Sequence, residues 1–204
     1  MISFIKKILR YPRIVMIKKR FTGKGSVYLT TRIVFSGTAN KSNIYLSTTS
    51  RVHGCITVCD TGQVYVGNYS QVGPNSVIRC VDSVRIGDYT MISTNVVISD
   101  NNNHPINPLD REEIQKTSAG SDLRSMKYSD HSPIIIGNRC WIGEYSRICK
   151  GVSVGDGSIV AANAVVTKDV PANTIVAGNP ARIVKSDIDQ SPRIISFSAL
   201  THSE

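Results

Sequence analysis

An aliphatic side chain recurs at every sixth residue along much of this chain, and few architectures accommodate that spacing. From Val66 the series runs Val66, Val72, Ile78, Val84; it slips by two and resumes at Ile86, Ile92, Ile98. After a long interruption it returns at Ile136, Ile142, Ile148, Val154, Val160 and Val166. A weaker run, Leu46, Val52, Val58, Val64, precedes it. Four residues after the clear aliphatic positions stand small or β-branched residues: Ser70, Ser76, Thr90, Val96, Cys140, Ser146, Val152, Ser158, Ala164. A period of six matches neither the helical 3.6 nor the alternation of a half-buried strand. It predicts an all-β parallel β-helix, a prism of three flat walls in which six residues make one short strand and one corner. Three such units make a coil. The aliphatic points to the axis, the small residue fits where the wall turns, and Gly-Asn (67–68, 137–138) and Gly-Asp (87–88, 155–156) supply the corners. Each buried valine or isoleucine contributes roughly 1.5–3 kcal/mol. One coil alone is unstable, because its core is shared with its neighbours.

The repeat divides the chain into a basic lead-in over 1–45, a β-helix over 46–185 and a polar tail over 186–204. The interruption, residues 101–133, is polar and predicts a long loop protruding from a corner; loops of this length inside a domain are usually functional. The formal net charge is +9, and no acidic residue precedes Asp60. Nucleic acid is not the expected partner, since no recognition motif accompanies the cations. An anionic membrane surface or an anionic small molecule fits better. Residues 1–21 mix apolar and basic residues around Pro12, and two readings stand: a peripheral membrane anchor, or a segment packed on the end of the domain. No apolar run there has the length of a membrane span. Five cysteines without a CxxC pair predict free thiols and a reducing, cytoplasmic setting.

The string from Ile134 to Lys185, with its segments IGNRCWIG, GVSVGD, VVTKDVP and AGNPARIVK, resembles the galactoside, maltose and polysaccharide O-acetyltransferases of the hexapeptide-repeat superfamily. Upstream, IGDYTMISTNVVISDNNNHP is similar to the strand and loop that carry that family's catalytic histidine. The resemblance covers about Val66–Lys185. It implies a left-handed winding, a homotrimer with sites between adjacent prisms, acetyl-CoA as cosubstrate and a sugar or glycan acceptor.

His104 is the leading candidate for catalysis. A protonated hydroxyl is a poor nucleophile, and an imidazole titrating near neutrality can take its proton and return it to a leaving thiolate. The resemblance puts the histidine of the His104–Pro105 dipeptide in this role. Asp100 is a candidate to orient that imidazole, or is a plain turn aspartate. Asn95 is placed by the resemblance against the acceptor or acyl group, or is a corner asparagine. His131, just before the repeat resumes, is a weaker substrate candidate. Trp141 precedes an inward isoleucine and therefore points outward; the resemblance puts it in the acceptor or CoA cleft. It also assigns the Ala161–Ala162 backbone, Thr167, Lys168, Arg182 and Lys185 to the cofactor.

Other chemistries fit less well. Cys140 and Cys149 occupy repeat positions that look structural, and no Ser-His-Asp motif or phosphate-binding loop is present. His53, His104 and His131 are too dispersed for a metal set, so no metal is expected. The expected activity is O-acetylation of a bacterial surface glycan. The alternatives are acetylation of an antibiotic or amino-sugar nitrogen, or a non-catalytic assembly protein on the same scaffold.

Overall fold

The structure, a computed structural model, describes residues 13–194. It is a parallel β-helix with three walls. The first wall stacks Thr22–Gly23, Ile44–Leu46, Gln63–Val66, Ser83–Ile86, Ile134–Ile136 and Ser153–Val154. The second stacks Ser26–Val27, Arg51–Val52, Gln71–Val72, Met91–Ile92, Trp141–Ile142, Ile159–Val160 and Ile175–Ala177, with Arg182–Lys185 folding back antiparallel at its end. The third stacks Arg32–Ser36, Cys55–Cys59, Val77–Cys80, Val97–Ser99, Arg147–Ile148 and Val165–Val166.

The period-six residues are the inward columns. Val66, Ile86, Ile136 and Val154 lie in register on the first wall. Val72, Ile92, Ile142 and Val160 share a column on the second, and Ile78, Ile98, Ile148 and Val166 on the third. All twelve are at most 1% exposed, so the axis is dry and the stack is one core. The small residues stitch the coils. The Ser70 hydroxyl donates to the Gly87 carbonyl (2.6 Å) and accepts from the Thr90 N–H (2.9 Å); Thr90 repeats the pattern with Gly137 and Cys140 one coil on.

Three expectations need correction. The β-helix begins at Thr22, within the supposed lead-in, because residues 22–36 already pair with the second coil. Its strands are hidden from the period by longer corners: Thr22 pairs with Tyr45 and Val27 with Val52. The phase is also not continuous. Val84 and Ile86 belong to one strand, opposite Val64 and Val66, so the slip of two is extra chain at the corner before Ser83. In the second coil the inward third-wall residue is Ile56, opposite Ile78, and Val58 pairs with Cys80. The corner before it is shorter and passes through Gly54, where a Cβ would sit 2.3 Å from the Ser76 carbonyl oxygen. Finally, the left-handed residue at the first-to-second-wall corner follows the Asn or Asp: it is Tyr69, Tyr89, Arg139 and Gly157. The Asx side chains instead bind along the axis, Asp88 accepting from the Asn68 N–H (2.7 Å) and Asn138 from the Asp88 N–H (2.9 Å).

The N-terminal end is capped. Residues 13–18 are helical (α1), and Ile17 and Phe21 join the core with Val27 and Ile33. Arg20 donates to the Ile33 carbonyl (2.7 Å). For residues 13–21 the end-packed reading therefore holds; the rest of the proposed anchor, residues 1–12, lies outside the described residues.

The long segment after Asn101 is not structureless. It holds helix α2 (Pro108–Lys116), started by Pro108 and capped by Asn107, whose side chain accepts from the Leu109 N–H (2.9 Å). Two 3-10 turns follow, Asp122–Arg124 and Met126–Tyr128. While α2 stands exposed, the returning chain lies along the third-to-first-wall corner toward the N-terminal coils. Ser125 Oγ is 3.1 Å from Cys59 Sγ, Lys127 Nζ 3.7 Å from Asp60, and His131 Nδ1 3.8 Å from Asp82.

Ile142→Ala removes a fully buried side chain from the middle of a column. We expect a loss of about 2–5 kcal/mol in chemical denaturation. The same change at Ile135, which faces outward and is 49% exposed, should cost under about 1 kcal/mol.

Candidate active site

His104 leaves the prism at the end of the third wall and is exposed. Its position is set by a chain of polar contacts starting in the core. Asp100 is fully buried. Its carboxylate accepts from the Val81 N–H (2.9 and 3.0 Å), the Asp82 N–H (2.9 Å) and the Asn101 side-chain amide (3.0 Å). Asn101 in turn accepts from the Asn103 N–H (3.0 Å), and Asn103 adopts a left-handed φ of 68° that turns the chain into His104. Asn101 also bridges His131, and the Ser132 N–H donates to the Asp100 carbonyl (2.8 Å), which closes the base of the loop.

Asp100 therefore does not hold the imidazole directly: among the described residues it makes no hydrogen bond to His104. Its oxygens are taken by the corner at 81–82 and by Asn101, whose side chain also accepts from the Asn103 N–H in the turn before His104. Asn101 was not singled out from the sequence. The Asn-x-Asn spacing after Asp100 is the signal that pointed to such a turn. His131 sits beside Asp82 at the loop base, and Asn95 takes the corner role: its φ is 58°, and its N–H donates to the Pro74 carbonyl (3.1 Å).

Most of the cofactor candidates lie on the second wall or just after its strands, and Thr167 and Lys168 follow the last strand of the third. Trp141 points outward, half exposed, beside Met91 in register. It shares one cleft with Ser93, Gly143, Glu144, Ile159, Ala161 and Ala162. A second cleft brings together Lys168 and Arg182 with Asp169, Ala181 and Ile183. Thr167 is exposed next to Lys168, and Lys185 is exposed on the returning strand opposite Ile175. Trp141, Arg182 and Lys185 belong to the second wall, and Ala161–Ala162 follow its strand Ile159–Val160. Thr167 and Lys168 instead follow the third-wall strand Val165–Val166, and the cleft they reach lies at the C-terminal end of the prism, lined also by Val166, Val170 and Val176. None of these residues meets His104. His104 leaves from the corner between the third and first walls, and the second wall is the side opposite that corner.

The remaining titratable groups are structural. His53 stacks on Tyr28 (3.4 Å between ring centroids), and burial, with Arg51 nearby, lowers its pKa. Burial raises the thiols of Cys80, further opposed by Asp100, and of Cys140. Among the described residues no group of three His, Cys, Asp or Glu side chains is placed to hold a metal ion.

The site is thus a histidine loop at one corner of a three-walled β-helix with a cleft on the opposite wall. Residues 133–168 match the family described as bacterial transferase hexapeptide (six repeats). The chain is 33% identical over 124 residues to WbbJ of Escherichia coli (strain K12), which its name assigns provisionally to O-acetyl transfer in lipopolysaccharide biosynthesis. It is 33% identical over 127 residues to the galactoside O-acetyltransferase of the same organism. These matches span 61% and 62% of this chain but only 61% and 56% of the relatives' own length. A hexapeptide-repeat acetyltransferase of Vibrio cholerae superposes with a TM-score of 0.50 at 29% identity, covering 66% of this chain and 71% of that one. The polySia-specific acetyltransferase NeuO shares the fold, with a TM-score of 0.60 at 23% identity over 87% of this chain and 91% of that one.

Asp100→Ala leaves two buried N–H groups and one amide without partners, each worth roughly 1–3 kcal/mol. We expect at least ~2 kcal/mol of destabilisation, and faster hydrogen exchange at Val81, Asp82 and Asn103. At pH 7 a thiol reagent should modify the half-buried Cys55 and Cys149 well before Cys80 and Cys140, as peptide mapping by mass spectrometry can show.

Proposed function

We propose that this protein is an acetyl-CoA-dependent O-acetyltransferase that modifies a hydroxyl of a bacterial surface glycan. The observation that carries the reading is the division of the candidate residues between one corner and the opposite wall. The corner offers a base on a pinned turn. The wall offers what a CoA thioester needs: a flat aromatic at Trp141, the small Ala161–Ala162 turn beside side-chain-free Gly143, and a cation at Arg182 for phosphates, to which Lys168 adds a second from the end of the third wall.

In the reaction His104 takes the proton of the acceptor hydroxyl as its oxygen attacks the thioester carbonyl. The C–S bond breaks, an ester forms, and His104 returns the proton to the departing thiolate. Atoms and charge balance without a metal or a covalent enzyme intermediate. Because His104 and the cleft lie on opposite sides of one prism, two copies must adjoin, and a homotrimer meets this with three equivalent sites. The likeness to WbbJ and to the galactoside O-acetyltransferase, each over about three fifths of this chain, supports a sugar hydroxyl over a nitrogen acceptor. The exposed Arg13, Lys18 and Lys19 leave the capped end of the prism basic, suited to a peripheral contact with anionic lipid, where lipid-linked glycans are assembled. No helix among the described residues is long and apolar enough to cross a membrane.

Thiol release from acetyl-CoA should be stimulated by a surface-glycan or galactoside acceptor and not by chloramphenicol or an amino-sugar nitrogen. His104→Ala should lower kcat by roughly 10²–10⁴-fold, the usual contribution of a general base, with the acetyl-CoA KM little changed. Light scattering should return the mass of three chains. Full transfer by the alanine variant would end the proposal.

A further inference from the structure

Two columns on the outside of the prism repeat one pattern. On the first wall Tyr45, Tyr65 and Arg85 occupy the same position of three successive coils. The two tyrosine rings stack at 5.5 Å and 4°, and the Arg85 guanidinium lies 4.4 Å above the Tyr65 ring. One corner further on, and one coil later, Tyr69, Tyr89 and Arg139 follow the same order along the axis, with Arg139 turned to Asp156 at 4.0 Å. Each takes the left-handed position of its coil, and the Tyr69 and Tyr89 rings stack at 5.0 Å and 7°. Both columns read Tyr-Tyr-Arg along the axis, and the first wall carries no other aromatic ladder.

The core does not explain these residues. Tyr45 is 46% exposed, Tyr69 and Tyr89 are 55% exposed, and Arg85 and Arg139 are exposed. At Tyr69, Tyr89 and Arg139 the backbone favours Gly or Asn, which other corners of this chain use, as at Asn75, Asn95 and Asn163. Large side chains have been placed where the backbone disfavours them and where they fill no cavity. Unusual backbone occupancy of this kind marks function more often than packing.

The chemistry of the columns selects the ligand. Stacking closes one face of each ring and Arg85 closes the second face of Tyr65, so the columns present mainly edges and hydroxyls. A nucleobase looking for a free π-face finds little here, whereas the hydroxyl groups and carboxylates of a sugar chain find donors spaced by one coil. Each column ends in a guanidinium, which suits carboxylate groups. Of the nearby acids, Asp88 already accepts from the Asn68 N–H, and Asp156 accepts from Asn138 and lies 4.0 Å from Arg139. The strand that carries Arg85 starts just after Asp82, the residue facing His131 at the base of the His104 loop.

We infer that the two Tyr-Tyr-Arg columns form a binding track for an extended acidic glycan, along which a polymeric acceptor runs toward the His104 loop. The inference rests on the acetyltransferase reading for its direction, but binding can be tested without catalysis. Affinity electrophoresis of the full chain would use polygalacturonate as the acidic probe, dextran as the neutral one and oligothymidine as a nucleic acid. The track predicts retardation by polygalacturonate that weakens at least tenfold on raising salt from 50 to 500 mM, and none by dextran. Two double variants test the columns: Arg85→Gln with Arg139→Gln, and Tyr69→Asn with Tyr89→Asn, the latter suited to the left-handed backbone and so expected to keep the fold. Each should weaken polygalacturonate binding at least tenfold with unchanged thermal midpoint and unchanged mass in light scattering.

Unaltered affinity in both double variants would overturn the inference. So would tighter binding of oligothymidine than of polygalacturonate, or a change in oligomeric mass, which would make the columns a contact between copies. His104→Ala should bind polygalacturonate as the unaltered protein does. If that variant also retains acetyl transfer, the catalytic reading fails while the track stands.

Discussion

Everything in this molecule depends on one coil sitting in register on the next. The inward aliphatics form three unbroken columns, and the hydroxyls of Ser70 and Thr90 tie each corner to the following coil. Stability in such a stack is the sum of neighbouring contacts, so each coil needs the one above and the one below. The ends need closing instead, and Ile17 and Phe21 do this at the N-terminal end. The result is a stiff scaffold on which outward residues are placed by coil and by wall. A site built on such elements is held more tightly than one built on loops alone.

The scaffold tolerates a long excursion because the register survives it. Ile86 pairs with Ile136 and Ile92 with Ile142 across the whole inserted segment, as closely as coils with no insertion. The entropy of closing a loop rises only slowly with its length, so the insertion costs little once its base is fixed. The base is fixed by burying a carboxylate. A buried charge is unfavourable unless its oxygens are satisfied, and Asp100 meets this with three donors from two segments. The satisfied aspartate then joins the corner at 81–82 to the turn that leads into His104.

This explains what could be read from the sequence and what could not. The columns from Ile136 to Val166 were legible because those coils are regular, at eighteen residues each. The earlier coils obey the same packing but vary in corner length, so a fixed period loses them at Val58 and misassigns Val84. The first coil, over 22–36, has no periodic signal for the same reason. On the site, the nearness of Trp141 to Ala161 and Ala162 follows from the eighteen-residue coil, whereas Lys168 comes near Arg182 because the strand Arg182–Lys185 folds back. The partners of Asp100 were not legible, since they lie a full coil earlier. Which oxygen meets which N–H depends on the corner's shape and not on spacing along the chain.

The prism's geometry also constrains how the parts can act together. The histidine loop belongs to the corner between the third and first walls, the cleft to the second wall, and the Tyr-Tyr-Arg columns to the first wall and its far corner. A single prism keeps the loop and the cleft apart by its own thickness, and that thickness is a packed core that cannot close. Only a second prism can set a loop corner against a cleft. A contact of this kind joins two different surfaces, so it either repeats without end or closes into a ring. In the proposed homotrimer every copy would give its loop to one neighbour and its cleft to the other. On that proposal the acceptor arrives along a surface that such a ring leaves open. This is why the exposure of the tyrosine columns bears on the chemistry: a track buried between copies could not deliver a polymer to the histidine beside it.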